Sequence, residues 1–127
     1  MARILVVDDE EQVRTLLLQM LEDVGYKVEV ARSGFEAVKI HQKTPFDLIV
    51  TDIIMPDRGG LETIMDIRAK DPNVKIIAIS GGLRSVPEGF LGYARRFGAQ
   101  RTLEKPFSRQ ELLGAVEQLL AESPTKA

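Results

Sequence analysis

Five short apolar runs separated by helical stripes limit this chain more than any other feature. The runs "RILVVDD", "KVEVA", "FDLIVTD", "VKIIAIS" and "RTLEKP" are mostly rich in Val and Ile and end on turn residues, as strands do, the last being the least apolar. Between the first two, Val13, Leu16, Leu17, Met20, Leu21 and Val24 recur at i, i+3, i+4, i+7, i+8 and i+11, the spacing of one apolar helix stripe, and Gly25 stops it. Leu112, Leu113, Val116, Leu119 and Leu120 repeat that spacing near the C-terminus. Shorter helical patterns fall around Ala37–His41, Leu61–Arg68 and Glu88–Phe97, the last preceded by a loop with Gly81, Gly82 and Pro87. Two adjacent glycines and a proline predict that this loop is the most mobile stretch of the chain. Alternation of helices with continuously apolar strands predicts a parallel sheet covered on both faces, with right-handed crossovers.

The chain has 127 residues, one domain's worth and enough to bury about two thirds of its unfolded surface. The domain is expected over residues 1–122, with "SPTKA" at 123–127 as a flexible tail. A net charge of −2 with 28% charged residues argues against a surface built for polyanions, so nucleic acid is not an expected partner. Cysteine is absent, which excludes disulfides and thiolate metal sites. The apolar N-terminal run is cut off by Asp8, a pattern that fits neither a signal peptide nor a membrane span, and the expectation is a cytoplasmic protein.

The unusual polar residues fall at strand ends. In open α/β sheets ligands bind beyond the carboxyl ends of the strands where strand order reverses, which in the flavodoxin-like order 2-1-3-4-5 lies between the first and third strands. Asp8 and Asp9 end the first strand, Asp52 the third, Ser80 the fourth and Lys105 the fifth. Taken singly, each has a plain reading: a helix-capping acid, a loop-starting acid, a turn serine, an exposed lysine. Five such residues at the ends of four strands, all on one edge of one sheet, require a common explanation. Like unit charges ~4 Å apart repel by roughly 4 kcal/mol at an effective dielectric near 20, so three gathered carboxylates need a cation or raised pKa values. Hard oxygen ligands suit Mg²⁺, a carboxylate can accept a phosphoryl group, and a lysine and a hydroxyl can bind its oxygens.

The ordered set "ILVVDDE", "LIVTDIIMP" with Asp52, Met55 and Pro56, "GGLE" at 59–62, "IIAIS" and "EKPF" resembles the receiver domain of two-component response regulators, from Ala2 to about Ala121. The resemblance implies a (βα)5 three-layer sandwich with a five-stranded parallel sheet. It implies that Asp52 takes a phosphoryl group from a sensor histidine kinase or a histidine phosphotransfer protein, the chain catalysing its own Mg²⁺-dependent phosphorylation and dephosphorylation. By position, Asp9, Asp52 and the backbone carbonyl of Ile54 are metal ligands and Asp8 acts largely through water. Ser80 and Lys105 bind the phosphoryl group, Thr102 belongs to the switch, and Pro106 and Gly81 support it. A downstream protein or effector domain reads the face made by the Glu88–Phe97 helix, the last strand and the last helix, with room for a phosphorylation-dependent homodimer.

Three departures from the family pattern stand out. Thr102 occupies a position usually Tyr or Phe, Gly81 one that is often Ala, and the stretch from Ser80 to Gly98 is a few residues longer than usual. No effector domain follows the last helix, so output is expected through binding unless the chain is part of a larger protein. A flavodoxin-type cofactor binder needs a phosphate-cradling loop where this chain has Asp-Asp-Glu-Glu. A haloacid-dehalogenase-like phosphatase needs a D-x-D pattern after the first strand, which "DDEEQ" lacks. A pseudo-receiver acting only as an interaction module is the alternative left. His41, the sole histidine, is expected to be structural, and Arg95, Arg96 and Arg101 to form a solvated face.

Overall fold

The computed structural model describes residues 2–53, 60–81, 96 and 98–122. Its elements run β1 (Arg3–Val7), α1 (Glu11–Glu22), β2 (Lys27–Ala31), α2 (Gly34–Lys43), β3 (Leu48–Asp52), α3 (Gly60–Lys70), β4 (Lys75–Gly81), β5 (Arg101–Lys105) and α4 (Arg109–Ala121). All strand pairings are parallel and the order is β2-β1-β3-β4-β5, as expected. All but Arg96 of the expected helix over Glu88–Phe97, nearly all of its preceding loop (Gly82 and Pro87 included) and the tail 123–127 lie outside the described residues.

Strand alternation divides the interior into two cores. Ile4 and Val6 of β1, Leu48 and Val50 of β3, and Ile77 and Ile79 of β4 pack with Leu17 and Leu21 of α1 and Leu112, Val116 and Leu119 of α4. Leu5, Val7, Ile49, Ile76 and Ala78 face the other way, against Ala37 of α2 and Ile64 and Ile67 of α3. Both faces of the central strands are therefore apolar, and these strands read as continuous runs. Two helices start at serine caps. Ser33 Oγ accepts the Glu36 N–H at 3.2 Å. At α4, Ser108 Oγ accepts from Glu111 N at 3.0 Å while Glu111 Oε1 accepts from Ser108 N at 3.1 Å, a reciprocal capping box.

Two sequence expectations need correction. The α1 stripe is narrower than its spacing suggests: Leu17 and Leu21 are buried, but Leu16 is 52% and Val24 46% exposed. Leu16 and Leu17 are ~100° apart around the helix and cannot both point inward. Val24 lies beyond the helix, which ends at Glu22 and closes at Gly25 with φ of 100°. The third strand begins at Leu48, not Phe46. Phe46 is buried, and its N–H donates to His41 Nδ1 at 3.1 Å. That bond leaves the proton of the neutral ring on Nε2, which donates to Asp71 Oδ2 at 2.9 Å. His41 thus joins α2 to the segments preceding β3 and β4, a structural role as expected.

Candidate functional site

Pairing register brings the acids together. Val7 of β1 pairs with Thr51 of β3, so one further step sets Asp8 beside Asp52. Alternation gives both the face of Ile4 and Val6 and of Leu48 and Val50, so each apolar series ends in a carboxylate. Asp8 and Asp52 are 1% and 6% exposed, so neither carboxylate is solvated. From the end of β5, Lys105 Nζ reaches Asp52 Oδ2 at 3.2 Å and Asp8 Oδ2 at 3.7 Å. Lys105 is thus drawn into the sheet edge and is not the exposed strand-end lysine of the plain reading.

The backbone around these groups is tightly held. Asp8 N donates to Ala31 O at 3.2 Å, and Asp8 Oδ1 accepts the Glu10 N–H at 2.8 Å. The Asp8 carbonyl accepts from Arg14 Nη1 at 2.8 Å. At the end of β3, Thr51 Oγ1 donates to Asp52 O at 3.0 Å, and Ile53 N donates to Ile79 O at 3.0 Å. Gly60, the first residue of α3, lies against this turn so closely that a Cβ would sit 2.2 Å from Asp52 O and 2.3 Å from Ile53 Cα. Only glycine lets α3 begin there.

Charge and burial oppose each other at Asp8. Its pKa is raised to about 6, chiefly by burial; the Glu10 N–H opposes the rise, the charge of Asp52 and its hydrogen bond to Asp8 add to it, and Lys105 opposes it. Burial alone would lower the Lys105 pKa, but the Asp52 and Asp8 carboxylates outweigh it and the ammonium is held more firmly than an ordinary lysine's. Carboxylate oxygens of Asp8, Asp9 and Glu10 lie within 4.8 Å of one another. This donor set of hard anionic oxygens beside Asp52 fits a small divalent cation.

Of the other expected residues in the described part of the chain, Ser80, Gly81 and Pro106 lie at the same edge and Thr102 does not. Ser80 is buried near the end of β4 and pairs in register with Glu104, while Gly81, the last residue of β4, pairs with Lys105. Thr102 pairs with Ala78, inside the sheet, so the structure sets it below the edge and on the sheet face opposite Leu103 and Lys105. Pro106 follows Lys105 at the edge. Ile54, Met55, Pro56 and Gly59 lie outside the described residues, as does Arg95, while Arg96 and Arg101 are exposed. Sequence reasoning missed Glu10, Arg14 and Gly60. A third acid directly after Asp8 and Asp9 and a glycine opening a helix were visible signals for two of them.

Residues 4–117 match the response regulator receiver domain family. The chain belongs to that family. It is 35% identical over 118 residues to the chemotaxis protein CheY of Listeria monocytogenes, covering 92% of this chain and 97% of that protein. It is 34% identical over 120 residues to the response regulator receiver protein CpdR of Brucella abortus, covering 94% and 98%. Among solved structures, the response regulator TrrA of Thermotoga maritima in complex with Mg²⁺-BeF superposes with a TM-score of 0.83 at 35% identity, covering 94% of this chain and 99% of that one. The receiver fold and a role in two-component signalling follow. Among the described residues, no helix is long and apolar enough to cross a membrane.

Proposed function

We propose that this receiver domain is a phosphoacceptor switch in which Asp52 takes a phosphoryl group from a sensor histidine kinase or a histidine phosphotransfer protein. The observation that carries this reading is the Lys105 ammonium 3.2 Å from a buried carboxylate at the end of β3, with Asp8 alongside. Asp52 attacks the phosphorus of a phosphohistidine, the P–N bond breaks, and the imidazole leaves with its electron pair. Lys105 then follows the charge to the phosphoryl oxygens, and the Ser80 hydroxyl, one strand over, donates to another. Asp9, Asp52 and the Ile54 carbonyl would hold Mg²⁺, with Asp8 bridged by water, and the ion when bound supplies positive charge to the transferring oxygens. The fit rests on the clustered acids of this chain; TrrA, a relative, was solved with Mg²⁺-BeF.

The phosphorylated form is read by a downstream protein or effector domain. With Thr102 below the edge in place of an aromatic ring, Ser80 and the segment after it carry the signal. Residues 1–122 act as one receiver unit, in the cytoplasm. Incubating the pure protein with acetyl phosphate tests the reading: intact mass should show one added phosphoryl group with Mg²⁺ and none with a chelator. Absence of the modification in both would make the chain an interaction module that does not use phosphate.

A further inference from the structure

The acidic loop after β1 is held between two cations, of which the proposed phosphoryl chemistry uses one. Lys105 meets the Asp8 side chain at 3.7 Å. Arg14, from the first turns of α1, meets the Asp8 backbone carbonyl at 2.8 Å on Nη1. Other ties of the loop include the backbone contacts of Asp8 N to Ala31 O and Arg14 N to Glu10 O, the turn in which Asp8 Oδ1 accepts the Glu10 N–H, and a side-chain hydrogen bond between Asp8 and Asp52. Among the bonds described, Arg14 contributes the one side chain from outside the loop that grips its backbone. It grips at Asp8, the residue whose carbonyl orientation sets where the Asp9 and Glu10 side chains emerge.

We infer that Arg14 is a positioning residue that holds the Asp8–Asp9–Glu10 loop in its metal-binding form before any cation arrives. The inference rests on the phosphoacceptor reading above. Three acids whose oxygens come within 4.8 Å of one another repel, and without a divalent ion the loop relaxes by moving them apart. A charge-assisted bond to the carbonyl opposes that movement without neutralising the carboxylates, because the guanidinium binds the backbone and not the side chains. The ligands are thereby pre-organised, as outer-shell partners orient metal ligands elsewhere.

The two roles an arginine can play here have effects of opposite sign. If Arg14 were only a nearby positive charge, removing it would strengthen Mg²⁺ binding. If it positions the loop, removing it weakens binding although a repulsive charge has gone. The test compares the parent, Arg14→Gln and Arg14→Lys by Mg²⁺ titration and by amide hydrogen exchange of the metal-free proteins. Arg14→Gln should bind Mg²⁺ about tenfold more weakly, and Arg14→Lys should recover part of the loss. In the absence of metal, the Glu10 amide of Arg14→Gln should exchange faster while amides of β1 and β3 keep the parent's rates. Tighter or unchanged Mg²⁺ binding by Arg14→Gln, with the parent binding normally, overturns the inference and leaves the phosphoacceptor reading standing. A parent that bound no Mg²⁺ would overturn both. If Arg14→Gln unfolds, the exchange comparison is made on Arg14→Lys, where an unchanged Glu10 rate counts against the inference.

Discussion

Asp8 is a buried acid whose charge opposes folding at neutral pH. Its pKa is raised to about 6 in the folded protein, against an ordinary 3.8, chiefly by burial. A raised acid binds its proton more tightly folded than unfolded, so its contribution favours folding below the ordinary value and is lost as pH rises through about 6. That difference corresponds to at most about 3 kcal/mol. Asp8→Asn keeps an acceptor for the Glu10 N–H without the charge. It should be more stable than the parent at pH 7.5, by up to about 3 kcal/mol, with the gain vanishing near pH 4 in urea melts without divalent ions. A gain independent of pH would show that the charge is not the cause. Lys105→Ala removes the ammonium from both acids, and we expect it to bind Mg²⁺ still but to respond weakly to a phosphoryl mimic such as beryllofluoride. Amide shift changes equal to the parent's would deny Lys105 that role.

The elements owe their placement to short contacts that spacing alone does not reveal. The site depends on α3 starting directly against the end of β3, and Gly60 makes that approach. Gly60→Ala forces a Cβ into backbone, which cannot swing aside as a side chain can. We expect a loss of about 1–3 kcal/mol and slower labelling from acetyl phosphate. A variant with the parent's denaturation midpoint would mean that the turn yields freely. The strands and helices were legible because apolar residues fill both sheet faces at recognisable periods. Their edges were less so. Phe46 looked like part of β3, but its amide is committed to His41; Leu16 looked buried, but Leu17 already fills that place.

Across the whole molecule the two ends of the sheet have opposite electrostatic character. At the carboxyl edge, Asp8 lies close to Asp52 under burial. At the other, burial would raise the Asp71 pKa, but the His41 ring and the N–H groups of Asn73 and Val74 outweigh it and hold the acid below its usual range. A lowered acid stabilises the fold above its ordinary pKa, and that stability is lost as pH falls through the folded value. Asp71→Asn should therefore cost about 2 kcal/mol at pH 7 and less toward pH 3, with phosphorylation unchanged. An equal cost at both pH values would assign the effect to packing. The edge carrying Asp8, Asp52, Ser80 and Lys105 was legible because a parallel sheet collects its strand ends. The grips of Arg14 on Asp8 and of His41 on Asp71 were not, because they join residues whose approach is fixed only by tertiary packing.

The most direct test of Asp52 as acceptor is intact-mass analysis with peptide mapping, after incubation with Mg²⁺ and acetyl phosphate, of the parent and Asp52→Asn. The parent should gain one acid-stable, base-labile phosphoryl group that maps to the peptide containing Asp52, and the folded variant should gain none. An equally labelled Asp52→Asn, or a parent labelled at another residue, would contradict the assignment.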